Sequence, residues 1–192
     1  LLAERSSCSR ITPCAQEVCV ADIKNTLSSS TESGNAMNKT RITSFRGEYS
    51  FLSNFYSSPV HYQGMEFPTA EHAFQAAKTY NYETRKNILQ AATPSEAKRL
   101  GRTIDLDLNW WNDAKIDIMH EIVWEKFASN SSLKEKLLAT GNVVIEESNT
   151  WGDRFWGTVN GEGQNALGII LMAVRLELVH PFEPSHIDIT FA

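Results

Sequence analysis

Cysteine is almost absent from this chain. Its 192 residues include three cysteines, Cys8, Cys14 and Cys19, and all three lie within the first forty positions. Three cysteines cannot all pair in disulfide bonds, and their spacing matches no standard zinc site. The remaining sequence, which has none, is suited to a reducing compartment. We therefore expect a cytoplasmic protein without a bound metal ion or other cofactor.

The sequence also lacks long apolar runs and an excess of positive charge. No stretch of eighteen consecutive apolar residues occurs, which excludes a membrane-spanning helix in this sequence. The 18 Lys and Arg residues are outnumbered by 23 Asp and Glu residues, which gives a formal net charge of -5. This balance disfavours a protein that coats a nucleic-acid duplex through positive charge alone.

The first forty residues contain no aromatic side chain and are rich in serine. A segment of this composition cannot bury enough apolar surface to offset the entropy cost of ordering it. We therefore expect residues 1–40 to be a disordered or non-native N-terminal arm, with Met37 as a candidate native start. Residues 41–180 are expected to form one domain, followed by a C-terminal tail at 181–192.

Hydrophobic periodicity and turn signals after residue 41 predict many helices and a few short strands. The Gln63-Gly64 pair between two apolar runs predicts a hairpin. Capping signals, together with apolar residues spaced three and four positions apart, predict the helices. These are expected at 69–80, 83–91, 94–101, 113–128, 132–140 and 167–178, with short strands at 42–45 and 143–145. The fold class is α+β, a single compact, helix-rich domain with a few short strands.

One face of the helix predicted at 69–80 has an unusual composition. Glu71, Phe74, Gln75 and Lys78 are spaced at i, i+3, i+4 and i+7 and therefore share that face. The carboxylate and the amine are candidates for chemistry, although they could also flank a buried stripe and contact water. His72 is not part of a His-Glu-x-x-His pattern, so it indicates no metal site.

Aromatic residues flank two further candidate regions. Trp110 and Trp111 precede the helix predicted at 113–128 and could be core residues or a ring that stacks on a base. Residues 151–157, Trp-Gly-Asp-Arg-Phe-Trp-Gly, place Asp153 and Arg154 among aromatic rings. Such surroundings can shift the pKa of a carboxylate into a catalytically useful range, although an ion pair that closes a turn fits equally well.

A glycine-containing loop precedes the last predicted helix. Its residues 161–165, Gly-Glu-Gly-Gln-Asn, include Gly163 and Asn165. Backbone N–H groups before a helix suit a phosphate group. The loop matches neither the Walker nor the Rossmann pattern, however, and a plain loop with Asn165 as the N-cap residue is the competing interpretation.

Read in order, these segments resemble the NADAR family, also called YbiA-like. The resemblance extends over residues 41–178, and the ordered series of motifs is far more specific than any one of them. The matching segments are 51–55, 68–78, 92–102, Trp111 with Lys115 and Met119, 138–141, 153–157, 165–168 and 171–175.

This resemblance implies a compact α+β domain that hydrolyses N-glycosidic bonds. Two substrate classes are implied: ADP-ribosylated guanine, as a nucleobase or within DNA or RNA, and a phosphoribosylamino-pyrimidine intermediate of riboflavin synthesis. The substrate would therefore be a small molecule or a nucleic-acid-linked ADP-ribosyl group. We expect the protein to need no cofactor, no membrane and no obligate protein partner. The alternative is a non-catalytic module that binds ADP-ribose or NAD.

The resemblance also assigns site residues. It places the motif glutamate at Glu71, the motif tryptophan at Trp111 and the motif aspartate at Asp153. We expect Glu71 to act as general acid or base and Asp153 to be the partner that stabilises or orients. Lys78 is a third catalytic candidate because its amine could form a Schiff base with an opened ribose. Because Trp110 directly precedes Trp111, either ring could stack on the base. The expected substrate-binding residues are Trp111, Asn54, Phe55, Arg46, Arg154, Gly163 and Asn165.

Overall fold

The computed structural model describes residues 40–179, so the predictions for most of the N-terminal arm and for the C-terminal tail lie outside the described residues. Residues 40–179 form four short strands, six α-helices and one 3-10 helix at Gly47–Leu52. The strands are β1 (Arg41–Ile42), β2 (Val60–Tyr62), β3 (Met65–Phe67) and β4 (Val144–Ile145). The helices are α1 (Ala70–Ala76), α2 (Tyr82–Leu89), α3 (Pro94–Gly101), α4 (Leu108–Ala128), α5 (Ser131–Ala139) and α6 (Ala166–Val179). The prediction of a helix-rich α+β fold is confirmed.

Two strand pairs form the β structure of this region. β2 and β3 make the predicted antiparallel hairpin, in which Val60 lies opposite Phe67. Its turn places Gln63 at φ +46° and Gly64 at φ +75°, the left-handed conformation that a two-residue hairpin turn requires. β1 and β4 pair in parallel and are each two residues long, shorter than the predicted strands.

Side-chain caps start the helices. Thr69 accepts a hydrogen bond from the backbone N–H of His72 at α1, and Thr93 does the same for Glu96 at α3. The helix predicted from residue 132 begins one residue earlier, because the Asn130 side chain accepts from the N–H of Leu133. The helix predicted from residue 113 begins at Leu108, where Asp107 is the cap.

The core lies where α4 packs against α1, α5, α6 and β2. Met119, Val123 and Phe127 of the predicted α4 stripe are buried, whereas Ile116 is 38% exposed. All seven residues of α1 are buried, including Glu71 and His72. No helix within residues 40–179 has both the length and the apolar character needed to cross a bilayer.

Candidate active site

A cavity of about 720 Å³ opens beside α1 and α4. Its walls combine charged groups of both signs with aromatic rings. Within residues 40–179, the acidic lining residues are Glu71, Glu147 and Asp153, and the basic ones are Arg46, Lys78, Lys98 and Arg102. The aromatic ones are Phe45, Phe55, Phe74, Trp111, Trp151 and Trp156. Both the volume and this mixture are typical of small-molecule sites.

Glu71 lies in the first turn of α1 and is only 6% exposed. Its backbone N–H donates to the Asn54 carbonyl at 3.0 Å, and its Oε1 atom accepts from Gln75 Nε2 at 2.8 Å. Burial raises the pKa of the Glu71 carboxyl, and the Gln75 hydrogen bond and the nearby cations offset part of that rise. The interpretation of Glu71 as a water-exposed residue at the edge of the stripe is therefore wrong.

Lys78 follows the end of α1. It lines the cavity together with Glu71, Phe74 and Gln75, which shows that all four side chains share one face. Its Nζ atom lies 3.5 Å from the Gly101 carbonyl oxygen and 5.6 Å from the centre of the Trp111 ring. Burial lowers the pKa of the Lys78 amine, which the charge of Glu71 opposes. A lysine in such surroundings is easier to deprotonate than one in water.

Asp153 lies in a tightly held turn. Its Oδ1 atom accepts from the backbone N–H groups of Phe155 at 3.1 Å and Trp156 at 2.9 Å. The buried Asn149 side chain holds the same turn by binding both the N–H and the carbonyl of Asp153. The turn thus orients the carboxylate at the cavity wall. Arg154 does not pair with it, since Arg154 instead binds Glu162 at 2.6 Å on the exposed side of the loop.

Glu147 is a lining residue that the sequence did not identify. Its backbone is fixed on both sides, because its N–H donates to Asn165 Oδ1 at 2.9 Å and its carbonyl accepts from the Thr158 N–H at 2.8 Å. Burial raises the pKa of Glu147 to about 7, with a further contribution from the charge of Asp153. The sequence offered one signal for this site, the pair Glu146-Glu147 after the short apolar run at 143–145. That run, however, does not indicate which of the two glutamates faces inward.

The other glutamate of that pair, Glu146, has a structural role. It is buried and forms an ion pair with Arg41, and its second oxygen accepts a hydrogen bond from Thr158. These bonds lower the pKa of the Glu146 carboxyl. Glu146 therefore links β1 and Thr158 to the end of β4, whereas its neighbour Glu147 lines the cavity.

The structure distinguishes the two adjacent tryptophans. Trp111 is 8% exposed, lines the cavity and packs against Phe74 with ring centres 5.0 Å apart. Trp110 packs on Tyr80 at 6.1 Å and on Trp111 at 5.9 Å, and it does not line the cavity. Both lie in the first turn of α4 rather than before the helix. Trp151, which is 62% exposed, lines the cavity on another loop.

The cavity brings together seven of the ten predicted site residues and leaves three outside. Glu71, Lys78, Asp153, Trp111, Asn54, Phe55 and Arg46 line it, whereas Arg154, Gly163 and Asn165 do not. Asn165 directly precedes α6 and its carbonyl accepts the Ile169 N–H, but its side chain bonds instead to the backbone of Ile145 and Glu147. A Cβ atom on Gly163 would lie 2.4 Å from the Gly157 carbonyl, so Gly163 serves close packing.

The polar groups not yet described are two further cations of the cavity and His72. Lys98 and Arg102, on α3 and directly after it, supply cations to the cavity that the sequence analysis did not select. His72 is buried and lies within hydrogen-bond distance of Thr69 Oγ1 and the Ala91 carbonyl. Between residues 40 and 179 we find no group of His, Cys, Asp and Glu residues able to hold a metal ion.

The chain is similar to one family model and to several known proteins. The model of the NADAR domain matches residues 42–179. N-glycosidase YbiA of Escherichia coli K12 is 35% identical over 133 residues, which are 68% of this chain and 82% of YbiA. An N-glycosidase of Nostoc punctiforme is 38% identical, and the match covers 68% of this chain and 86% of that protein.

Two further matches extend this result. A riboflavin biosynthesis protein of Vibrio vulnificus is 38% identical over 135 residues, so the matched segment is only 36% of that longer protein. The NMR structure of E. coli YbiA superimposes with a TM-score of 0.66 at 34% identity, covering 75% of this chain and 88% of that one.

Proposed function

The chain belongs to the NADAR family, and on that premise we propose that it is an N-glycosidase. The observation that supports this function most directly is the cavity in which carboxylates, cations and aromatic rings face one another. The proposed substrates are ADP-ribosylated guanine, free or within DNA or RNA, and a phosphoribosylamino-pyrimidine of riboflavin synthesis. Both contain a ribose, a nitrogen heterocycle and phosphate.

Cleavage of the ribose–nitrogen bond proceeds through a sugar with oxocarbenium character, and the leaving nitrogen needs a proton. In our proposal Glu71 handles that proton. Its raised pKa lets it hold a proton at a higher pH than an exposed glutamate would, and the bond from Gln75 orients its carboxyl group. The N–H of Glu71 is tied to the Asn54 carbonyl, so the group starts from a fixed backbone.

Asp153 supplies the second carboxylate. The N–H groups of Phe155 and Trp156 fix one of its oxygens, so that little reorganisation is needed when positive charge develops on the sugar. Glu147 is a further acid, with a pKa of about 7, whose charge interacts with that of Asp153. The protonation of Glu147 therefore sets the negative charge beside Asp153 near neutral pH.

Lys78 offers a covalent route to the same products. In a ring-opened substrate, its amine would add to C1′ and the bond from C1′ to the base nitrogen would break. The amine protons would pass to that leaving nitrogen, so that a C=N bond between the sugar and Lys78 remains. Water would then break that bond, releasing the sugar aldehyde and the free amine. The lowered pKa of Lys78 and its position on the face of Glu71 support this alternative.

The other lining residues fit the remainder of such a substrate. Trp111 and Phe55 offer faces on which a heterocycle can stack. Arg46, Lys98 and Arg102 are suited to phosphate oxygens, since cations form strong, charge-assisted hydrogen bonds with them. In our proposal these three cations, rather than the loop at 161–165, contact the phosphate groups.

The test uses the full chain and two substrates in parallel. ADP-ribosylated DNA and the phosphoribosylamino-pyrimidine are each incubated with the protein, and release of the free sugar is followed by mass spectrometry. We expect turnover of at least one substrate. Binding of ADP-ribose without any bond cleavage in either assay would contradict the enzymatic function and would support a non-catalytic binding module.

A further inference from the structure

Lys126 is a buried cation that the proposed reaction does not use. It lies in the last turn of α4 and is 1% exposed. Its Nζ atom donates to the carbonyl oxygens of Phe51 at 2.7 Å and Ser53 at 2.8 Å. The rings of Phe127 and Tyr56 lie 5.1 Å and 5.7 Å from it. Within residues 40–179, no carboxylate forms an ion pair with it.

A lysine in this position has a cost that an apolar side chain would not have. Burial alone lowers the pKa of Lys126 to about 7, which measures how strongly the surroundings disfavour its charge. An apolar side chain of similar volume would avoid this cost. With an apolar residue at this position, however, the carbonyls of Phe51 and Ser53 would lose the hydrogen bonds that the amine donates to them. The contacts thus explain why a lysine occupies a core position.

The two carbonyls belong to the segment that forms one wall of the cavity. Ser53, Asn54 and Phe55 all line the cavity, directly after the 3-10 helix that ends at Leu52. Lys126 itself is absent from the lining and lies behind this wall. The Ser53 carbonyl also accepts from the Tyr56 N–H at 3.1 Å, so the same oxygen joins the lysine to the turn.

The segment is connected in turn to the proposed acid. The Asn54 carbonyl accepts the N–H of Glu71 at 3.0 Å. The Asn54 side chain contacts Met119, whose sulfur lies 3.3 Å from Nδ2. Two hydrogen bonds, one to the Ser53 carbonyl and one to the Asn54 carbonyl, therefore connect Lys126 to the first turn of α1 through the Ser53–Asn54 backbone.

We propose that Lys126 is a positioning residue, which holds residues 51–55 so that Asn54 and Phe55 face the cavity and Glu71 keeps its place. This role rests on the proposed N-glycosidase function, because Lys126 acts through residues that would contact the substrate. Small displacements of such groups reduce rates strongly even when the fold is kept.

The main test is Lys126→Met in the full chain, which keeps most of the side-chain volume and removes the three N–H donors. Val123→Ala is the control, since Val123 is a fully buried residue of the same helix that does not line the cavity. At a temperature where both variants are folded, we expect kcat/KM to fall at least about tenfold in Lys126→Met and less than about twofold in Val123→Ala.

Amide hydrogen exchange measured by NMR provides a readout that does not depend on catalysis. The N–H groups of Tyr56 and Glu71 donate to the segment that Lys126 holds. We expect both amides to exchange at least about tenfold faster in Lys126→Met than in Val123→Ala. Lys126→Arg, which retains N–H donors, should restore part of the protection and part of the activity. If Lys126→Met does not fold, Lys126→Gln, with one amide donor group, takes its place in the same comparison.

The outcomes separate this inference from the function on which it rests. Equal exchange rates and equal kcat/KM in the Lys126→Met and Val123→Ala variants would overturn the positioning role and leave Lys126 as a core residue only. A parent protein that cleaves neither substrate would overturn the proposed function. In that case faster exchange at Tyr56 and Glu71 alone would still establish the hold on the segment, whereas unchanged exchange would refute it.

Discussion

Glu71, Glu147 and Asp153 contain the same carboxyl group in three different surroundings. Glu71 is buried and accepts a hydrogen bond from a neutral amide. Glu147 is half-buried beside another acid. Asp153 is bound by two backbone N–H groups. The surroundings of Glu71 and Glu147 raise the pKa of both carboxyl groups. The predictions at the scale of single residues follow from these differences.

Glu71→Gln keeps the side-chain volume and an oxygen that can accept the hydrogen bond from Gln75, but it cannot transfer a proton. We expect turnover to fall at least about 10²-fold while the melting temperature changes little. ADP-ribose affinity, measured by calorimetry, should stay within about tenfold because the contacts to sugar and phosphate remain. Near-normal turnover would remove Glu71 from its proposed role.

Glu147→Gln should change how stability depends on pH. The folded protein retains the Glu147 proton up to about pH 7, whereas the unfolded chain releases it near pH 4.5, where a glutamate in water has its ordinary pKa. The parent's stabilising contribution from this group is therefore complete below pH 4.5 and is lost as the pH rises through 7. We therefore expect the difference in melting temperature, variant minus parent, to be larger at pH 8 than at pH 5. A difference independent of pH would contradict the shifted pKa.

The two adjacent tryptophans should differ in binding. Trp111→Ala removes a ring from the cavity, and the loss of stacking on one base is worth roughly 1–3 kcal/mol. We expect a correspondingly higher KM, accompanied by a lower melting temperature because Trp111 also packs on Phe74. Trp110→Ala is the matched control and should leave KM within about twofold. A larger effect on KM from Trp110 would exchange their roles.

At the scale of elements, close approaches at glycine hold the cavity walls together. A Cβ atom on Gly157 would lie 2.1 Å from the Glu147 carbonyl oxygen, so the loop of Asp153 packs directly on the backbone after β4. A Cβ atom on Gly101 at the end of α3 would lie 2.0 Å from Gln75 Oε1, which belongs to a side chain that can move. The two contacts therefore differ in how well they can relax.

This difference predicts unequal effects of the same substitution. Gly157→Ala should destabilise the fold by roughly 1–3 kcal/mol or more, since backbone must shift. Gly101→Ala should cost less stability but should reduce turnover, because the displaced Gln75 no longer orients Glu71. Thermal unfolding and steady-state kinetics on both variants check this, and an equal loss of stability would argue against rigid packing at residue 157.

Local patterns in the sequence were sufficient for most elements and for part of the site. The hairpin, the caps at Thr69 and Thr93 and the shared face of Glu71 and Lys78 depend on neighbours along the chain, so they could be predicted. Glu147 could not be predicted, because β4 is only two residues long and shows no alternation. Lys126 continues the buried stripe of α4, but a lysine there is normally interpreted as a residue that reaches solvent.

At the scale of the whole molecule, the family match and the cavity both lie within residues 40–179. Because residues 1–40 lack aromatic side chains and lie before the matched segment, we propose that they are dispensable. A protein that begins at Met37 should retain the melting temperature and kcat/KM of the full chain. Loss of either on truncation would show that the removed residues contribute to the domain.

The complete burial of α1 limits which positions of this enzyme can vary. A helix with no solvent-facing residue offers no neutral site for substitution, so every change between Ala70 and Ala76 alters a packed interior. Mutational tolerance should accordingly be lowest there and higher at an exposed lining residue such as Trp151. New substrate preferences, whether they arise by drift or by laboratory selection, would therefore come from the loops around the cavity, while the helix that holds the acid stays constant.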